Sequence, residues 1–231
     1  MTTTDNKPEK KPLNFKSCFD IIGPVMIGPS SSHTAGAISI GIAANKLFQT
    51  TPKKVSVNYY ESFAETHKGH GTDYAIISGI LGFATDDLRV PNALEIAAEQ
   101  GMEIEFIEMP GDSPVQHANT ACVNLQDGDH EINVTGISVG GGTIEIKYIE
   151  VDRFAFEPQG TLPILIAITE DESIKYNLQG KLYDNNVEVN VFNEYECDST
   201  YLYQFDLNSQ PPKKLKEQLL NIDKATQIIL L

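Results

Sequence analysis

Apolar residues recur along this chain in two rhythms, and each rhythm marks a different kind of element. Residues 162–169 (LPILIAIT) form a compact apolar run of strand length, ended by the acidic turn Glu170-Asp171-Glu172. Ser173 then reads as a helix N-cap, and Ile174, Leu178 and Leu182 return at every fourth position on one narrow face. Val187, Val189 and Val191 alternate with Glu188 and Asn190 as a half-buried strand. A turn near 197–200 leads into a second strand at 201–207, so the two predict a hairpin. Pro211-Pro212 opens a helix carrying Leu215, Leu219 and Leu220, and 225–231 closes the chain as an apolar strand. Residues 161–231 therefore read as βαββαβ, a ferredoxin-like order.

Upstream, the rhythm is mixed. A polar turn, Gly28 to Thr34, opens a small-residue helix at 35–48, and 55–60 alternates as a strand. A second polar turn at 69–72 precedes a helix over 73–82, which Gly82 ends and which Thr72 or Asp73 would cap. Residues 92–100 predict another helix, and strands follow at 102–109, 121–125, 132–138 and 143–149. Residues 153–160, with Pro158 and Gly160, read as a connector. The expected organisation is a lead-in at 1–12 without fixed structure, a mixed α/β domain at 13–152, the connector, and a second domain at 161–231. The fold class is α/β of the α+β kind.

Composition narrows the function classes. The 231 residues carry 17 Lys plus Arg against 32 Asp plus Glu, a formal net charge of -15. Such a surface repels phosphate backbones and anionic headgroups, so neither nucleic acid nor membrane is expected as a partner. The longest apolar run is far short of the ~20 residues of a spanning helix. Residues 1–12 lack the apolar stretch of a signal peptide, which points to a cytoplasmic protein. Cys18, Cys122 and Cys197 are odd in number, scattered and without CxxC spacing. They predict neither a disulfide framework nor a self-contained metal site, and read as buried small hydrophobes.

The candidate chemistry sits in three polar segments. Ser30, Ser31, Ser32, His33 and Thr34 gather hydroxyls and helix-start N–H groups at one spot, which suits an anion. The sequence His67-Lys68-Gly69-His70-Gly71-Thr72-Asp73 repeats that design, with glycines that let backbone approach a ligand. Residues 113–120 add His117, Asn119 and Thr120. Gly140-Gly141-Gly142 reads as a bend between strands, since no helix and no Lys-Ser/Thr pair follows. No Asp or Glu at a recognisable spacing orients His33 for serine hydrolase chemistry.

GPSSSHTAGA, SFAETHKGHGTD, LGFATDDLRVP, HANT and ISVGGGTIEI, in this order, resemble the β chain of bacterial iron–sulfur-dependent L-serine dehydratases across 15–146. The resemblance implies an allosteric-substrate-binding-like first domain and an ACT regulatory second domain. It also implies deamination of L-serine to pyruvate and ammonia on a 4Fe-4S cluster whose cysteine ligands belong to an α subunit. In that scheme an open iron site acts as a Lewis acid on the substrate hydroxyl while a base removes the α-proton. By resemblance, Ser30, Ser31, Ser32, His33 and Thr34, with His70, Gly71 and Thr72, hold the substrate carboxylate and ammonium or shape the cluster mouth. Asn119 and Thr120 support them, His33 and His70 are the catalytic candidates, and neither is assigned as base. The expected partners are the α subunit, L-serine and a second copy of the chain bound through the β or ACT domains. A regulatory or anion-binding protein of the same architecture is the alternative.

Two local departures, Ala35-Gly36-Ala37 after His33-Thr34 and alanine in HANT, keep the polar residues. In the ACT-like domain, Glu170 to Ile174 replaces the usual Asp-x-Pro-Gly loop. Without that glycine, backbone and effector are kept apart, so this domain is expected to serve dimerisation or docking without an effector.

Overall fold

A computed structural model describes residues 24–159 and 162–231. The expected lead-in at 1–12 and Cys18 lie outside the described residues. Two sheets, each with helices, give the expected α+β class. The first sheet has six strands in the order β2-β1-β3-β4-β5-β6: β1 Lys54–Tyr60, β2 Glu103–Glu108, β3 Thr120–Asp127, β4 His130–Gly140, β5 Thr143–Val151 and β6 Phe154–Phe156. Only the β1–β2 pair is parallel. Its crossover carries α2 Glu61–Thr66, α3 Thr72–Ile80 and α4 Ala93–Glu99. That length satisfies the need of parallel neighbours for a long connection.

One helix organises this layer. α1 Gly36–Phe48 lies across the sheet and against α3, burying Ile38, Ile40, Ala44 and Leu47. The helices approach through Gly41 and Gly79. A Cβ on Gly41 would stand 2.1 Å from the Ile76 carbonyl oxygen, and one on Gly79 2.1 Å from that of Ile38. Small residues here are thus a steric requirement of the crossing, which explains the composition of the 35–48 stretch.

The second sheet is β10-β7-β9-β8, all antiparallel, with β7 Ile164–Thr169, β8 Val189–Cys197, β9 Thr200–Leu207 and β10 Gln227–Leu230. With α5 Ile174–Asp184 and α6 Lys213–Leu220, the order is βαββαβ. β7 is buried on both faces. Leu165 and Ala167 pack with Leu178, Leu182, Leu215 and Leu219 of the helices, whereas Ile164, Ile166 and Ile168 join the core of the first sheet. A strand covered on both sides has no polar face, hence the unbroken apolar run.

Several boundaries differ from the sequence reading. Part of the 153–160 connector is β6, whose Phe154 and Phe156 bury themselves by extending the first sheet from β5. Ser173 makes no side-chain cap. Instead Asp171 Oδ1 accepts from Ser173 N–H at 2.9 Å, and Thr169 Oγ1 from Asp171 N–H at 3.1 Å. At α3 neither Thr72 nor Asp73 caps. The N-cap is Gly71, at φ +68, and a Cβ there would strike the Tyr74 ring. Cys122 and Cys197 are half-buried rather than core residues, and Thr135 Oγ1 donates to Cys122 Sγ at 3.2 Å. Among the described residues no helix is long and apolar enough to cross a membrane.

Candidate functional site

The serine turn is itself helical. Ser31–Ala35 forms one wide π-helical turn that runs directly into α1, with Ser30 as N-cap. Ser30 Oγ accepts from His33 N–H at 3.2 Å, the capping contact that polar residues at a helix start favour. Ser30 N–H in turn donates to Thr34 Oγ1 at 3.3 Å. The N–H groups of Ser31 and Ser32 meet no acceptor among the described residues. Unpaired donors at a helix start, reinforced by the helix dipole, are what an anion requires.

Tertiary structure joins the two histidine motifs. Thr34 Oγ1 donates to the His70 carbonyl at 3.0 Å, and the His33 and His70 rings meet edge to face with centroids 4.8 Å apart. The His33 ring is buried, edge-on to Phe63 at 5.1 Å, and both its nitrogens face hydroxyls. Nδ1 lies 2.9 Å from Ser32 Oγ and Nε2 3.1 Å from Ser62 Oγ. Burial, then repulsion from His70, hold this imidazole below its ordinary value. His70 is exposed beside it.

The loop that carries His70 is anchored by its neighbours. His67 is buried between two carboxylates, with Nδ1 2.6 Å from Asp73 Oδ1 and Nε2 2.9 Å from Glu108 Oε1. Lys68 adds a 2.8 Å ion pair to Glu108. Hydrogen bonds from Lys68 first and His67 second draw Glu108 down to about 2. His67 thus ties the α2–α3 loop to β2, which leaves His70 as the ring at the seam.

The remaining motifs pack beneath. Gly140 to Gly142, all at positive φ, make the β4–β5 bend, as expected. That bend also supports the serine turn. Gly142 N–H donates to the Ser31 carbonyl at 3.1 Å, Ser39 Oγ to the Gly142 carbonyl at 3.1 Å, and a Cβ on Gly142 would lie 2.9 Å from Pro24. Asn119 Nδ2 donates to the Ser138 carbonyl at 3.4 Å, and a Cβ on Gly36 would lie 2.1 Å from Ser138 Oγ. The Thr120 hydroxyl donates to the His117 carbonyl and accepts from Ser113 Oγ at 2.8 Å, so its hydrogen-bonding capacity is taken up within its own loop. Among the described residues, buried Thr72 Oγ1 at the first turn of α3 has no hydrogen-bond partner. Sequence reading missed Ser62, although it lies in the SFAETHKGHGTD block. Its partner His33 is 29 residues away, and only the course of β1 into α2 brings them together.

Comparison with known proteins gives the family. The family model described as serine dehydratase beta chain matches residues 17–148. A probable L-serine dehydratase beta chain of Bacillus subtilis is 48% identical over 161 residues, covering 69% of this chain and 71% of that protein. An L-serine dehydratase beta chain of Peptoniphilus asaccharolyticus is 31% identical over 214 residues, 91% of this chain and 95% of that one. L-serine dehydratase 2 of Escherichia coli is 33% identical over 172 residues, which cover 64% of this chain but only 36% of that longer protein. The seam of serine turn and paired imidazoles is thus set in a chain of lyase type. The chain belongs to the serine dehydratase beta chain family.

Proposed function

We propose that this chain is the β subunit of an iron–sulfur-dependent L-serine dehydratase, which with a cluster-bearing α subunit converts L-serine to pyruvate and ammonia. The observation that carries this reading is the convergence of the serine turn and the His67–Asp73 motif on His33. The turn offers helix-start donors to the substrate carboxylate. His33, held below its ordinary value, is a neutral proton acceptor at pH 7 next to that anion. The Ser32–His33 pair takes the α-proton. The C–H electron pair becomes the C=C bond as the β-hydroxyl departs, and hydrolysis of the resulting enamine, through its imine, releases ammonia and pyruvate.

The donor set among the described residues does not fit a four-iron cluster. Cys122 and Cys197 stand on different sheets, and no group of three or more His, Cys, Asp or Glu side chains among the described residues is arranged for a metal ion. In this reading the cluster ligands come from the α subunit. Two observations support such a partner. The alignment to L-serine dehydratase 2 leaves most of that protein outside the region shared with this chain. The segment entering the serine turn is strapped to Thr85 by Ile27 N–H to the Thr85 carbonyl and Thr85 Oγ1 to the Val25 carbonyl, and Val25 and, three residues beyond Thr85, Leu88 are exposed apolar side chains.

The test is anaerobic co-expression with the cysteine-rich α candidate, following pyruvate release from L-serine. Activity is expected to require both chains and to fall about 10²- to 10⁴-fold in kcat with His33→Ala, the range of general acid–base catalysis. Full activity of the α chain alone would remove the catalytic role and leave a regulatory one.

A further inference from the structure

The hydroxyls around His33 extend beyond what holding a carboxylate requires. Ser30 Oγ lies 3.3 Å from Ser32 Oγ, Ser32 Oγ 2.9 Å from Nδ1, and Nε2 3.1 Å from Ser62 Oγ. Every link joins groups able both to donate and to accept, since a neutral imidazole carries its proton on either nitrogen and a hydroxyl rotates. Ser62 also lines a surface cavity of about 530 Å³, whose wall includes Glu61, Glu65 and Asp112. The backbone supports this placement. Glu61 adopts φ +45, uncommon for a residue with a side chain, as the chain turns from β1 into α2, and its Oε1 accepts from Ser113 N–H at 2.9 Å. That turn sets Ser62 between the His33 ring and the cavity.

We propose that Ser32, His33 and Ser62 form a proton relay that carries the substrate's α-proton from the serine turn to the cavity beside α2. The relay rests on the dehydratase reading. Ser32 Oγ takes the α-proton as its own proton passes to His33 Nδ1. The Nε2 proton moves to Ser62 Oγ, and Ser62 releases its own to solvent in the cavity. One proton leaves the substrate, one reaches solvent, and each relay group regains its starting charge. Ser62 is a positioning residue that acts through His33 and never meets the substrate.

The experiment compares Ser62→Ala and Ser62→Thr in the assembled enzyme, and in parallel records ¹⁵N spectra of the His33 ring in the full chain alone. Ser62→Ala is expected to lower kcat about 10- to 100-fold with KM unchanged, and Ser62→Thr, which keeps the hydroxyl, to restore it. In the spectra, the wild-type ring averages both tautomers. Ser62→Ala is expected to collapse it to the Nδ1–H form, which still donates to Ser32. Unchanged kcat, or identical tautomer populations in wild type and Ser62→Ala, would overturn the relay. A wild-type pair that releases no pyruvate would instead overturn the dehydratase reading, while the spectra still report on the Ser62–His33 coupling.

Discussion

His33 and His117 are both held below 6.5, His33 by burial and then His70, and His117 by burial and Lys147 against the opposing pull of Glu145 and Glu61. In the unfolded chain each returns to about 6.5. Between the folded value and 6.5 the unfolded chain binds more protons, so unfolding free energy drops as pH falls through that window. Thermal melts from pH 7.5 to 5.5 are expected to show a falling Tm, with a shallower slope in a His33→Gln/His117→Gln variant. Glu108 acts in a lower window. Its contribution is present above the unfolded value near 4.5 and is lost as pH falls toward about 2, an acid step that Glu108→Gln removes. Residue chemistry of this kind was half legible. The serines, His33 and His70 stood in local motifs, whereas the roles of Ser62, Glu108 and Ser138 arise from contacts between distant segments, for which the sequence has no local signal.

Elements were read well where one face meets a core. β7, α6 and β1 to β5 of the first sheet carry apolar patterns dense enough to declare their type. β8 was read only to Val191 but runs to Cys197. It is an edge strand whose half-buried and exposed residues alternate, so Asn193, Glu194 and Glu196 dilute the signal. β6 was missed because three residues are too few for a period. Glycines within helices hold opposite meanings that only packing separates. Gly41→Ala drives a Cβ into the Ile76 carbonyl and is expected to cost about 1–3 kcal/mol in urea unfolding. Gly180→Ala, in α5 with no atom within 4 Å of its Cβ position, is expected to stabilise by about 0.5–1 kcal/mol.

Across the chain as a whole, β7 is the shared wall, supplying one face to each core. Exposed Val25 and Leu88 belong to this level, because in the proposed reading a partner covers them. Leu88→Asp is expected to leave the free chain's stability within about 0.5 kcal/mol while weakening co-purification with the α subunit. Unchanged co-purification would place the docking surface elsewhere. Sequence alone determined the class, the βαββαβ order and the turns that carry the candidate residues, because apolar period, capping hydroxyls and glycine turns act over neighbouring residues. Tertiary structure alone decided that two turns some forty residues apart become one seam. It also decided that a glycine bend from a third segment supports the serine turn, and that His33 has a hydroxyl on each nitrogen. Those relations depend on how α1 crosses α3 and on where β1 turns into α2, and chain separation hides both from any local reading.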